Sequence, residues 1–121
     1  MARIQIKRVY DPAEEADGTR ILIDRLWPRG IRKETLKLDG WPKELAPSTE
    51  ARREFDHKAE NFDAFASRYR MELDTSDAAR AYIEVLRTQR PQTLTLLYAA
   101  RDPQINHAVV LKRWLDERLG D

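Results

Sequence analysis

The chain contains no cysteine. That excludes disulfides, thiolate nucleophiles and thiolate metal sites. No apolar run is long enough to span a bilayer and no signal peptide is evident, so the chain is expected to stay in the cytoplasm, away from the membrane. A Gly-x-Ser-x-Gly elbow and a glycine-rich phosphate loop are also missing, which argues against a serine hydrolase or a nucleoside triphosphatase. The only two histidines, His57 and His107, have no ligand-like spacing, so a structural zinc is not expected and no cofactor is foreseen. Magnesium carried in by a phosphorylated ligand would need only one or two carboxylates, and that weaker version survives. Net charge is scarce as well: 22 Lys and Arg against 21 Asp and Glu leave +1, which gives no general pull toward nucleic acid.

What the chain does have is charge of both signs, 36% of residues, over an apolar share of 41%. That composition is globular rather than disordered. A length of 121 residues fits one domain over residues 1–121. Such a chain can bury roughly two thirds of the surface it exposes when unfolded.

Residues 3–10 alternate apolar and polar positions and read as a half-buried strand near a sheet edge, stopped by Asp11-Pro12. After a polar loop with a turn signal at Asp17-Gly18, residues 19–26 read as a second, more apolar strand. From Pro28 to Pro47 the periodicity fails, and a loop is expected, with a short strand through Leu36 and Leu38. Ser48 and Asn61 are candidate caps for two helices, the second carrying Phe62, Phe65, Tyr69 and Leu73 on one face. A third helix buries Ala79, Tyr82, Ile83 and Leu86 and ends before Pro91. Residues 93–99 are a continuous apolar run, as expected of a central strand covered on both faces. A last helix buries Val110, Leu111, Trp114, Leu115 and Leu119. The whole predicts an α/β domain: a single small parallel or mixed sheet with helices packed on it, in Rossmann-like layering.

In such sheets ligand sites gather beyond the carboxyl ends of the strands. Two turns occupy that position, residues 24–31 and 99–107, and they share one cleft if their strands are parallel neighbours. The first reads Asp24-Arg25-Leu26-Trp27-Pro28-Arg29-Gly30-Ile31. Pro28 fixes one backbone angle and Gly30 permits another that most residues avoid, so the turn is suited to hold side chains in place. Arg25 and Arg29, with Arg8 nearby, are planar cationic donors suited to phosphate or carboxylate. Residues 1–37 hold nine basic and six acidic side chains, a local excess of +3. The competing reading is a salt-bridge network in which Asp24 simply neutralises Arg25.

His107 falls in the first turn of the last helix, on the side of Leu111 and Trp114, and so faces inward. The helix amino terminus disfavours an imidazolium there, which leaves a ring able to accept a proton. The structural alternative is a hydrogen bond from His107 to a strand carbonyl or to Asp102. The candidate catalytic set is thus His107, Asp24 and Asp102, and the candidate ligand set is Arg8, Arg25, Trp27, Arg29, Gly30 and Asn106. His57 reads as a cap or surface group. Trp27 and Trp41, in proline-containing loops, suit a lid or a contact with a protein partner or a second copy of the chain.

Several stretches together carry a resemblance: Arg8-Val9-Tyr10-Asp11, Asp17-Gly18-Thr19-Arg20, Asp24 through Gly30, Phe55 with His57, Phe65 through Tyr69, Leu96 through Ala100, and Asn106 through Leu111. They resemble the YeaO-like branch of a large bacterial and archaeal domain family of unknown function, family 488, nearly end to end. The resemblance implies a family, not an activity. More distant branches carry an aspartate and an arginine after the second strand and a Cys-His-Arg element after the last. Asp24 and Arg25 match the first loosely, while Asn106-His107-Ala108 keeps only the histidine of the second. A thiol reaction of that kind is closed to this chain, and His107 would have to act with Asp24, Asp102 or Asn106. The functional expectation is a site for a small anionic, phosphorylated or nucleotide-like molecule, with catalysis open. The alternative is a non-enzymatic interaction module using Trp27 and Trp41.

Overall fold

Thr93–Tyr98 forms β3, the central strand of a sheet ordered β1-β3-β2, with β1 at Arg3–Arg8 and β2 at Thr19–Leu22. Both pairings are parallel, which settles the choice between a parallel and a mixed sheet. The computed structural model describes residues 3–119. Among these the α-helices are α1 (Lys33–Leu36), α2 (Thr49–Phe55), α3 (Phe62–Thr75), α4 (Asp77–Gln89) and α5 (His107–Leu119). The α/β architecture is the one expected. No helix among the described residues is long and apolar enough to cross a membrane.

The two-residue period of the strands sorts their side chains onto two faces. Ile4, Ile21, Ile23, Leu94, Leu96 and Tyr98 join the larger core, where they meet Phe65, Tyr69, Ile83, Leu111 and Trp114 of the long helices. Val9, Leu22 and Leu97 face the other way and are covered by the loop after β2 through Trp27, Ile31, Leu36, Leu38 and Trp41. This second face also has a polar zone. Thr95 is fully buried there, accepting from Gln5 Nε2 at 2.9 Å and donating to the Asp17 carbonyl at 2.6 Å.

Three local expectations change. β2 stops at Leu22, and Ile23 N–H makes a last bond to Leu97 O at 3.0 Å before the chain leaves the sheet. Leu36 and Leu38 do not lie in a strand: residues 33–36 form one helical turn ended by Lys37 at φ 53°, and the Leu36 carbonyl accepts from Arg20 Nη2 at 2.8 Å instead of from a ladder. The strip that does flank β2 is one step further on, where Leu22 N–H reaches Gly40 O at 3.1 Å and Asp39 N–H reaches Arg20 O at 2.8 Å. Ser48 caps α2 by accepting from Ala51 N–H at 3.0 Å. Asn61 does not cap α3, because its own backbone is helical; its side chain donates to the Phe55 carbonyl at 3.2 Å.

The Tyr69 hydroxyl, fully buried, donates to the Leu45 carbonyl and so ties the loop before α2 to α3. Burial, then the nearby Asp24 charge, push its pKa well above the ordinary value, which keeps the hydroxyl a donor.

Candidate functional site

Because β2 and β3 are parallel neighbours, the chain leaves both at the same end of the sheet. Asp24 and Arg25 follow β2, Ala99 and Ala100 follow β3, and Asn106 and His107 open α5. These residues line a cleft of about 250 Å³, closed on the remaining side by Pro47, Arg52, Phe55, His57 and Phe65.

Asp24 is the hub. Its Oδ1 lies 2.7 Å from His107 Nε2, its Oδ2 accepts from Ala99 N–H at 3.0 Å, and its carbonyl accepts from Trp41 Nε1 at 2.7 Å. An ionised carboxylate only accepts, so Nε2 of His107 carries the proton and Nδ1 is the nitrogen left to act elsewhere. The Arg25 guanidinium bridges to the Pro47 carbonyl through Nε and Nη2, both at 3.3 Å. Asn106 is buried and caps α5: its Oδ1 accepts from Val109 N–H at 3.1 Å and its Nδ2 donates to the Asp102 carbonyl at 2.7 Å.

The other residues picked out from the sequence lie elsewhere. Asp102 does not meet His107. Its Oδ1 accepts from Gln104 N–H at 2.8 Å and Ile105 N–H at 3.0 Å, and those bonds hold its carboxyl below the ordinary pKa. Arg8 reaches round the sheet end to the Ala100 carbonyl at 2.9 Å and the Ala99 carbonyl at 3.3 Å, with the Tyr10 ring over its guanidinium. It supports the cleft floor from behind. Arg29 is exposed and Gly30 sits beside it at φ 74°, where the chain turns away under the Tyr10 hydroxyl, which donates to Arg29 O at 3.2 Å. Gly30 lines a separate shallow depression with Tyr10 and Arg32. Trp27 packs edge-on against Trp41, its N–H donating to Ile31 O at 2.7 Å. Arg25 and Arg29 therefore do not form one clamp.

Two lining residues were not expected at the site: Arg52 was not singled out in the sequence, and His57 read there as a cap or surface group. Arg52 belongs to α2, a helix of seven residues of which the sequence marked only the Ser48 cap. His57 follows Asp56, and both have positive φ, 50° and 55°. This left-handed pair ends α2 and folds the imidazole back over Phe55, with ring centroids 5.6 Å apart. A non-glycine pair in that region is uncommon and is a cue that only coordinates reveal. Among the described residues no cluster of three or more His, Asp or Glu side chains is arranged to hold a metal ion, and the Asp24–His107 pair falls short of one.

Comparison with known proteins gives consistent results. The chain is 48% identical over 112 residues to the uncharacterized protein YeaO of Escherichia coli, covering 93% of this chain and 96% of that one. It is 40% identical over 116 residues to uncharacterized proteins of Mycobacterium tuberculosis and Mycobacterium bovis, covering 96% of both chains in each case. No solved structure matches. A family model described as the Inactive DUF488-N3 subclade matches residues 3–121. With that match and these identities, the chain belongs to the Inactive DUF488-N3 subclade and is a YeaO-like member of the DUF488 family.

Proposed function

We propose that the cleft between the ends of β2 and β3 binds a small anionic molecule, a phosphorylated compound or a carboxylate, without turning it over. One observation carries this reading: the lining holds two guanidinium groups, Arg25 and Arg52, and two imidazoles, His57 and His107, against a single carboxylate, Asp24. That carboxylate is already engaged by His107 and by Ala99 N–H. Guanidinium groups suit the planar, acceptor-rich faces of phosphate and carboxylate. The positive end of α5 adds to the same field. About 250 Å³ is smaller than the roughly 300–1,000 Å³ of sites for drug-sized ligands, so a dinucleotide does not fit.

Two points support binding over chemistry. The lining has no hydroxyl or thiol side chain to serve as a nucleophile. The subclade's description as inactive agrees with that. An Asp-oriented histidine is the geometry of a general base, so a turnover reading would have His107 activate water. The interaction-module alternative has less support, since both indole N–H groups are satisfied inside the chain and both rings pack on the second face.

The test is thermal denaturation in rising inorganic phosphate at low ionic strength. A ligand at about a hundred times its Kd adds about 2.7 kcal/mol to the stability of the folded state. Stabilisation should saturate and should be lost in Arg52→Ala, whose side chain is exposed and forms no ion pair among the described residues. An equal shift in both proteins overturns the proposal.

A further inference from the structure

We infer that the ligand of this cleft is a donor-poor acid, a carboxylate or phosphate monoester whose charged head is attached directly to a compact apolar or aromatic group. The inference rests on the anion reading and narrows it. It follows from how the lining has already used its hydrogen-bonding capacity. Asp24 Oδ1 faces His107 Nε2 at 2.7 Å and Oδ2 accepts from Ala99 N–H at 3.0 Å. The Pro47 carbonyl accepts twice from Arg25. The carbonyls of Ala99 and Ala100 accept from Arg8, which approaches from behind the floor. Asn106 is spent in both directions, its Oδ1 on Val109 N–H and its Nδ2 on the Asp102 carbonyl.

Each of these carboxylate, carbonyl and amide acceptors is therefore engaged, which leaves the imidazoles, His107 through Nδ1, as the acceptors still open, while donors are in excess. The Arg52 side chain forms no ion pair among the described residues, and Arg25 keeps N–H groups beyond the two it gives to Pro47. A ligand hydroxyl or ammonium entering here would leave water and find only the imidazole nitrogens free to accept, and a desolvated donor without a partner is costly. A head group made only of acceptors meets the opposite situation.

The rest of the wall decides what the head is attached to. Phe55 and Phe65 stack with centroids 4.5 Å apart and planes 17° from parallel, and they flank the cleft together with Pro47 and the methyl groups of Ala99 and Ala100. These residues contribute apolar surface beside the Arg52 and His57 side chains of the same wall. About 250 Å³ has room for one ring and its charged head, whereas a pentose would present several hydroxyls to a wall with few acceptors left to receive them.

Isothermal titration calorimetry of the intact wild-type chain at low ionic strength, with three probes, separates this inference from the reading beneath it. The probes are phenyl phosphate, ribose 5-phosphate and inorganic phosphate, each repeated on Arg52→Ala. Phenyl phosphate should bind on the order of tenfold tighter than either of the others, with Arg52→Ala weakening all three. Equal affinity for ribose 5-phosphate and phenyl phosphate, still dependent on Arg52, overturns the inference and leaves the anion site standing. Failure of all three probes to bind overturns both.

Discussion

His107 Nε2 and Asp24 Oδ1 meet at 2.7 Å although 83 residues separate them in the chain. The contact joins the end of β2 to the start of α5, and the second oxygen of Asp24 joins the end of β3 through Ala99 N–H. One carboxylate thus holds three separate chain segments around the cleft. Its side chain is only 15% exposed, so its bonds form largely out of water. Asp24→Ala leaves the Ala99 amide and the His107 ring without their partner and should destabilise by about 2–4 kcal/mol, several times the effect of an exposed substitution. His107→Ala leaves Asp24 bonded to Ala99 and should cost less. Urea denaturation of the two variants and the double variant checks this, with a coupling of about 0.5–3 kcal/mol expected for a direct contact.

Gly18 and Gly30 both have positive φ, 62° and 74°, yet they should respond very differently to alanine. A Cβ on Gly18 would lie 2.5 Å from the Thr93 carbonyl oxygen, whereas nothing stands within 4 Å of one on Gly30. Gly30→Ala carries only the backbone penalty, about 1–2 kcal/mol. Gly18→Ala adds a clash with the first residue of the central strand and should cost about 3–5 kcal/mol from the two effects together. Equal melting temperatures for the two variants would contradict the structure.

The strands were legible because their information is local. The continuous apolar run at 93–98 reports burial directly, since all of it but Thr93 is buried, while the alternation in residues 3–8 marks an edge strand of which only Ile4 is buried, and the edge and central positions assigned to them match the sheet. The loop from Pro28 to Pro47 was not legible, since its form follows from long-range partners such as Arg20 bonding to Leu36 O and Trp41 to the Asp24 carbonyl. The same limit applies at the cleft. Asp24, Arg25, Asn106 and His107 stand next to strand ends, where a sequence rule points. Arg52 and His57 arrive from α2 and the turn that ends it, whose placement depends on packing between helices, and Arg29 drops out because the turn of Pro28 and Gly30 leads it away from the lining, its carbonyl held by the Tyr10 hydroxyl.

Trp41 links the second face of the sheet to the site. Its indole N–H donates to the Asp24 carbonyl at 2.7 Å while its ring packs edge-on to Trp27 at 5.4 Å. Trp41→Phe keeps much of the packing but leaves that carbonyl unpaired, which should cost about 1–2 kcal/mol. Trp41→Ala also removes the aromatic contact and the apolar cover over Leu22 and Leu97, and should cost about 3 kcal/mol or more. If this tryptophan serves packing, both variants lose stability in proportion while the elution volume in size-exclusion chromatography stays at the wild-type value. A normal melting temperature with altered assembly would return Trp41 to an interface role.

The polar zone of the second face should set the acid limit of stability. Asp17 and Arg20 are both buried and paired, Lys7 Nζ reaches Asp17 Oδ1 at 3.0 Å, and Glu14 N–H reaches Oδ2 at 3.0 Å. Burial alone would raise the Asp17 pKa, but the Glu14 amide and the Lys7 and Arg20 donors outweigh it and hold the carboxyl below its ordinary value of 3.8. A carboxyl depressed in the folded state contributes stability that is complete above its unfolded pKa and is lost as pH falls through the folded one. Stability of the wild type should therefore hold down to about pH 4 and then fall. Lys7 runs the other way: burial lowers its pKa, the bonds to Glu14 and Asp17 more than restore it above 10.5, and its share is lost only as pH rises through that higher value. Asp17→Asn leaves Arg20 buried beside a neutral amide and should cost about 3–5 kcal/mol at pH 7. With the titrating group gone, the same variant should also show a shallower decline between about pH 4 and pH 2. Guanidinium-induced unfolding at a series of pH values measures both effects, and parallel acid limbs for the two proteins would show that another carboxylate governs the transition.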